Sequence, residues 1–180
     1  MIIYSSFFQG YDGVFLLEYL VNNSMRPSKV IYNGSKVMYM EVARGLHIRV
    51  LDSLNFLPMK LAALPKAFEL TELCKGYFPH FFNKRENQQY VGPYPDPEAY
   101  GADYMSTGDR TAFLKWHEQK TSGGAVFDFR AEMEVYCRSD VDILRRACLR
   151  FRQLMLDATE VDPFKYVTIA SVCMGIYKTR

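Results

Sequence analysis

Lys29-Val30-Ile31-Tyr32-Asn33-Gly34-Ser35-Lys36-Val37-Met38-Tyr39-Met40-Glu41-Val42 is the stretch on which the fold turns. Lys29 to Tyr32 and Lys36 to Val42 read as two strands around Asn33-Gly34, the turn pair most favoured in hairpins. Gly45 marks a further turn, and His47 to Leu51 alternates as a third strand does. Upstream, Ile2 to Phe8 is an apolar run of strand length that begins abruptly. Between Asp12 and Leu20, apolar residues recur at Val14, Phe15, Leu16, Leu17 and Leu20, which suits a short buried helix ended by Asn22-Asn23-Ser24. Strand, helix and meander in that order predict a mixed α/β sheet rather than a doubly wound parallel one.

Downstream the pattern predicts a helix over Pro58 to Phe68, then an irregular stretch from Lys75 to Met105 rich in Pro, Tyr, Phe and Asn. A structureless run of about thirty residues is unusual inside a compact domain, and it reads as an insertion lying across the surface. A helix near Asp109 to Glu118 follows, broken by Gly123-Gly124. The strongest helical pattern runs from about Asp128 to Met155, with acid at its start and base at its end to suit the helix dipole. Val161-Asp162-Pro163-Phe164 restarts the chain into a last helical segment, Tyr166 to Tyr177.

With 49% hydrophobic and 23% charged residues, the 180-residue chain reads as globular rather than disordered. A formal net charge of +2 means that any nucleic-acid contact comes from a local patch, and Arg138, Arg145, Arg146, Arg150 and Arg152 crowd one stretch. That basic stretch faces either solvent or DNA. Aromatic residues reach 15%, which fits either a ring-filled core or rings that stack on unpaired bases. Cys74, Cys137, Cys148 and Cys173 form no C-x-x-C pair and read as free buried thiols in a reducing compartment. His47, His80 and His117 lack metal-ligand spacing. The start has no basic leader and no apolar run approaches the roughly 20 residues of a membrane span, so a nuclear or cytoplasmic protein is expected, neither secreted nor membrane-bound.

Two places set acids in suggestive company. One is Gly10-Tyr11-Asp12-Gly13, after the opening strand; the other is Tyr136-Cys137-Arg138-Ser139-Asp140, where i, i+4 spacing puts tyrosine and carboxylate on one helix face. A metal-dependent phosphodiester hydrolase uses such parts, because carboxylates hold two divalent ions that activate water and stabilise the leaving oxygen. On spacing alone, Asp12 also suits a helix N-cap and Asp140 a solvated helix acid.

The two segments resemble the second and third exonuclease motifs of proofreading DNA polymerases, the third being Tyr-x-x-x-Asp. The residues between them resemble one branch, the protein-primed family-B polymerases of phages, adenoviruses, linear plasmids and Maverick/Polinton transposons. Leu51-Asp52-Ser53-Leu54-Asn55-Phe56-Leu57 resembles that branch's Ser/Thr-Leu-x-x-hydrophobic motif. Leu73-Cys74-Lys75-Gly76-Tyr77-Phe78-Pro79-His80 resembles its Lys-x-x-hydrophobic motif, and Thr168-Ile169-Ala170-Ser171 the segment leading to the polymerase palm. The resemblance covers essentially the whole chain.

It implies an α/β, RNase-H-like 3′→5′ exonuclease domain over residues 1–157, with a mixed sheet, flanking helices and the aromatic, Pro-rich insertion at about 75–105. Residues 158–180 would begin the connection to the palm. Asp12 and Asp140 would bind Mg2+ or Mn2+, and Tyr136 would orient the attacking water. Ser53, Leu54, Lys75, Tyr77 and Phe78 would hold single-stranded DNA at the primer terminus, with a terminal priming protein as a further partner. Tyr77 and Phe78, with Phe81 and Phe82, equally suit packing of the insertion onto the core.

The pattern also departs from the family. The first exonuclease motif, Asp-x-Glu, does not precede Asp12, Ser6 and Phe7 stand where His-Asn is usual, and the palm acids are absent. These departures imply a piece of a larger replication gene, a nucleotidyltransferase, in which this chain alone is inactive. Two rivals remain: a catalytically dead module binding single-stranded DNA or a terminal protein, and a stand-alone metal-dependent nuclease recruiting Asp52 or Asp142, although Asp52 reads as structural.

Overall fold

A computed structural model describes residues 2–5, 8–42, 48–70 and 76–179. They divide into two compact units, one formed by Met1–Glu72 with Ile143–Arg180 and the other by Leu73–Asp142. Expectations placed on Ser6, Phe7, His47, Cys74 and Lys75 lie outside the described residues.

The first unit is built on a mixed four-stranded sheet, in agreement with the α/β reading. Its strands are β1 (Ile2–Ser5), β2 (Lys29–Asn33), β3 (Lys36–Val42) and β4 (Ile48–Asp52), in the order β1-β4-β3-β2. β1 runs parallel to β4, while β4 with β3 and β3 with β2 are antiparallel. The β2–β3 turn is centred one residue later than Asn33-Gly34. Asn33 still pairs with Lys36, and Gly34 takes the left-handed φ of +60° that a tight hairpin needs at its first loop position. Near Tyr32 the register slips by one, so Met38 bulges from β3.

β1 is shorter than the apolar run that predicted it. Phe8 belongs to a π-helical turn, Phe8–Asp12, that leads into α1 (Gly13–Asn22). Phe8, Leu20, Val37, Met40 and Val50 are buried together and pin α1 to the sheet. α1 itself is not the buried helix expected. Only Gly13 and Leu20 are buried, whereas Val14, Phe15, Tyr19 and Val21 are all more than half exposed.

The helix expected over Pro58 to Phe68 is reduced to a 3-10 turn, Leu61–Ala63, and a single α-turn, α2 (Leu64–Ala67). Pro65 explains the late start. Its ring lacks an N–H and fits only the first turn of a helix. The first unit is completed by residues 143–159 of a long helix described below, by a 3-10 turn Pro163–Lys165, and by α5 (Ile169–Thr179). Phe56, Phe151 and Phe164 pack ring against ring at centroid distances of 5.6–6.3 Å.

In the second unit, the stretch read as a structureless surface insertion is organised. Its described part holds four 3-10 turns, at His80–Phe82, Arg85–Asn87, Pro97–Tyr100 and Ala102–Tyr104. A short strand β5 (Val91–Gly92) pairs antiparallel with a second one introduced after the next helix. Helix α3 (Thr107–Ser122) begins two residues earlier than predicted, because the Ser106 hydroxyl accepts the Asp109 N–H. Strand β6 (Phe127–Asp128) then leads into α4 (Phe129–Thr159), whose first turn is capped by Asp128 Oδ1 accepting the N–H groups of Arg130 and Ala131.

Aromatic rings fill this unit. Phe78, Tyr94, Phe127 and Phe129 form one buried cluster; Tyr100, Ala102 and Phe113 form another, and Trp116 packs against both. The Tyr94 hydroxyl donates to Glu132 Oε1 at 2.9 Å, and burial together with that carboxylate pushes its phenol up to about 12. α4 runs four residues past its predicted end, so its last turn carries no basic residue. The thiols also need correction: Cys148 is buried, but Cys137 and Cys173 are exposed. Among the described residues no helix is long and apolar enough to cross a membrane.

Candidate nucleic-acid site

In the first unit, the chain is arranged to hold one carboxylate at the mouth of the sheet. Gly13 is buried so closely that a Cβ would lie 2.6 Å from the Phe8 carbonyl oxygen and 3.1 Å from Val37 Cβ. With no side chain there, α1 can start hard against β3, and Asp12 is left exposed at the helix entrance. Asp12 makes no side-chain cap; its Oδ2 accepts the Ser5 hydroxyl at 2.7 Å instead. The N-cap role weighed for this residue is therefore not the one it plays.

Ser5 ends β1 and stands in register with Asp52, which ends the parallel neighbour β4. Asp12 thus shares the carboxyl end of two parallel strands with the turn that follows Asp52. This is the end at which open α/β sheets bind ligands. Asp52 is fully buried, and its Oδ1 accepts the Leu54 N–H at 2.8 Å, capping the 3-10 turn Ser53–Asn55. The turn is tied down at its far end too: Asn55 Nδ2 donates to the carbonyl of Met38, the bulged residue of β3, at 3.2 Å. The buried Asn55 amide thus finds an acceptor there and is not stranded.

Ser53 and Leu54 open onto a groove of about 380 Å³ within this unit. Its other walls are Leu57, Pro58, Met59, Leu61, Leu64 and Leu144, and among the described residues Lys60 is the cation in the lining. Ser53 is buried and Leu54 is 40% exposed, so a hydroxyl, an aliphatic edge and one ammonium group share an otherwise apolar wall.

In the second unit, Tyr136 and Asp140 lie one turn apart on α4, both half-buried. The Tyr136 ring is held by two neighbours. Phe78 packs on it at 5.4 Å between centroids with an interplanar angle of 35°, and His80 meets it edge-on at 5.5 Å. The Tyr136 hydroxyl and His80 Nε2 are 3.4 Å apart, at the long end of hydrogen bonding. Phe78 is only 4% exposed, and Tyr77 sits half-buried against Phe113 and Trp116 at 5.1 and 5.0 Å. These two rings are parts of the aromatic core, and solvent instead reaches Phe81 and Tyr104. Arg138, on the same helix, is bound to Glu134 at 2.7 Å.

Asp12, Ser53 and Leu54 thus gather in the first unit; Tyr77, Phe78, Tyr136 and Asp140 belong to the second. Reading the sequence missed Ser5, Asn55 and His80, all ordinary polar residues whose importance lies in what they touch. Asn55 and His80 stood within recognised segments, though neither was given a role there. Among the described residues no group of three or more His, Cys, Asp or Glu side chains is gathered to hold a metal ion. A divalent site requires several oxygen ligands, which this arrangement does not gather.

Over residues 1–180 the chain matches the family model described as DNA polymerase type B, organellar and viral. A "Probable DNA polymerase" of Ascobolus immersus is 27% identical over 181 residues, covering 94% of this chain. The chain spans 14% of that relative's length. No solved structure matches it.

Proposed function

This chain belongs to the organellar and viral family of type B DNA polymerases, and we propose that it is the part that receives the unpaired 3′ end of the growing strand. In this reading it is the 3′→5′ exonuclease region, RNase-H-like in fold, of a protein-primed member of the family. The observation that carries the proposal is the convergence of Asp12 with the Ser53-Leu54 turn at the carboxyl ends of β1 and β4. Two segments forty residues apart, each resembling a strand-handling motif, meet at the end of the sheet suited to ligands.

The parts have complementary chemistry. Leu54 and Leu57 offer an apolar rest for a sugar or base, Ser53 a hydroxyl, and Lys60 a cation for the backbone phosphate. Asp12 and Asp140 are each carboxylates that would bind Mg2+ or Mn2+ in this reading, and further ligands must come from elsewhere. Tyr136 presents its hydroxyl to the attacking water. By itself the chain binds single-stranded DNA and performs no synthesis. A nuclear or cytoplasmic setting is consistent with its free thiols.

The test is removal of a mismatched 3′ nucleotide by the intact polymerase. Asp12→Ala and Tyr136→Phe should each slow excision by about 10- to 100-fold, the effect typical of groups that support a metal site. Full excision activity in both variants would sink the reading. The apolar character of the groove favours one rival, docking of a terminal protein. Salt separates the two: single-strand affinity set by Lys60 falls as salt rises and its salt slope drops by about one in Lys60→Ala, whereas an apolar protein contact responds weakly.

A further inference from the structure

We infer that His80 is a positioning residue for the Tyr136 hydroxyl, fixing the direction in which that hydroxyl meets an external oxygen. The inference rests on the exonuclease reading above and adds a residue to which the resemblance gives no role.

The geometry is a clamp built from one short segment. Phe78 and His80 stand two residues apart, around Pro79, and both side chains reach the Tyr136 ring on α4. Phe78 lies against the ring at 35° and His80 meets it at 79°, while Phe78 and His80 contact each other at 5.5 Å. Pro79 is fully buried and anchors the segment. Phe78, itself buried, also packs on Phe129 at the start of α4, so the clamp and the helix that carries Tyr136 share one core. Two aromatic contacts, with Phe78 and with His80, thus hold the Tyr136 ring in place.

Ring packing fixes where the oxygen is but not where its proton points, because a phenol O–H still rotates between its two in-plane positions. His80 Nε2, 3.4 Å away, biases that choice. If Nε2 carries a lone pair, Tyr136 donates to it and turns its oxygen lone pairs outward, to accept from a water. If Nε2 carries a proton, it donates to the phenol oxygen and the Tyr136 proton points outward. Either way the imidazole sets donor or acceptor character at the face offered to the strand. A water held by a hydroxyl of fixed polarity is better placed for attack than one held by a free rotor. His80 does not touch substrate in this account; it acts only through Tyr136.

A double-mutant cycle in the intact polymerase tests this. His80→Phe keeps the ring and removes the hydrogen-bonding nitrogen; His80→Gln restores a polar group of similar reach; Tyr136→Phe removes the hydroxyl. Excision of a mismatched 3′ nucleotide should lose about 10-fold or more in kcat in His80→Phe. KM for the primer should stay within about twofold, as expected for an interaction that acts on the chemical step. His80→Gln should recover most of the rate, and His80→Phe should add nothing to Tyr136→Phe. Thermal unfolding of each variant separates loss of fold from loss of orientation. Excision unchanged in His80→Phe, with Tyr136→Phe impaired, overturns the inference alone, as does full additivity of the two substitutions. Normal excision in Tyr136→Phe overturns this inference, and normal excision in Asp12→Ala as well overturns the exonuclease reading.

Discussion

Gly13 shows how one residue sets the position of another. The space its Cβ would need is occupied by a backbone oxygen, 2.6 Å away, and backbone cannot step aside as the tip of a flexible side chain can. Gly13→Ala should therefore push α1 off β3 and cost about 1–3 kcal/mol, the range for overpacking, read as a lower urea midpoint at unchanged slope. Because Asp12 precedes it, excision should fall in the same variant. Asp52 teaches the opposite lesson about reading acids. Its carboxylate is fully buried and caps a turn, so it shapes the candidate site without facing it. That agrees with the structural role read for it from the sequence. Spacing alone treats Asp12 and Asp52 alike, as acids beside strand ends; only burial and hydrogen bonding tell them apart.

At the scale of elements, the arginine-rich stretch of α4 is resolved in one place. Arg152 reaches across the bend after the helix to Asp162, with Nε–Oδ1 at 3.1 Å and Nη2–Oδ2 at 2.6 Å, a two-pronged pair. Asp162 also accepts the Phe164 N–H, so the pair closes the connection between α4 and α5. The Arg152 guanidinium holds the Asp162 carboxyl below its ordinary value. A lowered carboxyl value contributes stability above the unfolded-state pKa of about 4, and that stability is lost as pH falls through the folded value. Arg152→Met should cost about 1 kcal/mol near neutral pH. Its stability should fall less steeply than the parent's below about pH 4, as measured by denaturant unfolding across pH 2–6.

Element boundaries were legible where a local group writes them. Asp128, the Gly123-Gly124 break and the hairpin around Gly34 all act within a few residues of themselves. Boundaries failed where the deciding group was read as ordinary: Pro65 cut one predicted helix to a single turn, and Ser106 started another early. α1 failed for a different reason. Its apolar residues surround the helix, so periodicity could not say which of them meet the sheet; Leu20 does, and Phe15 and Tyr19 do not.

For the molecule as a whole, chemical reactivity should map the burial pattern. Cys137 and Cys173 should react with a thiol reagent in the native protein. Cys148, whose thiol burial pushes up to about 12, should react only after denaturation, as peptide mapping of the labelled sites would record. Labelling of Cys148 at the rate of the exposed thiols would contradict the described core.

The sequence by itself determined the mixed sheet, the long helix and the family, because each is written in short-range signals: turn residues, helix caps, and motifs in order along the chain. Tertiary structure decided what those residues face. It placed Asp12 beside the Ser53-Leu54 turn by pairing β1 with β4, whose partners lie some forty-seven residues apart (Ser5 with Asp52). It also turned an apparent surface insertion into an aromatic core and brought His80 to Tyr136 across 56 residues. Contacts at that separation depend on the closing of long loops around a shared apolar interior, and no local pattern in the chain encodes which ring or hydroxyl will be met there.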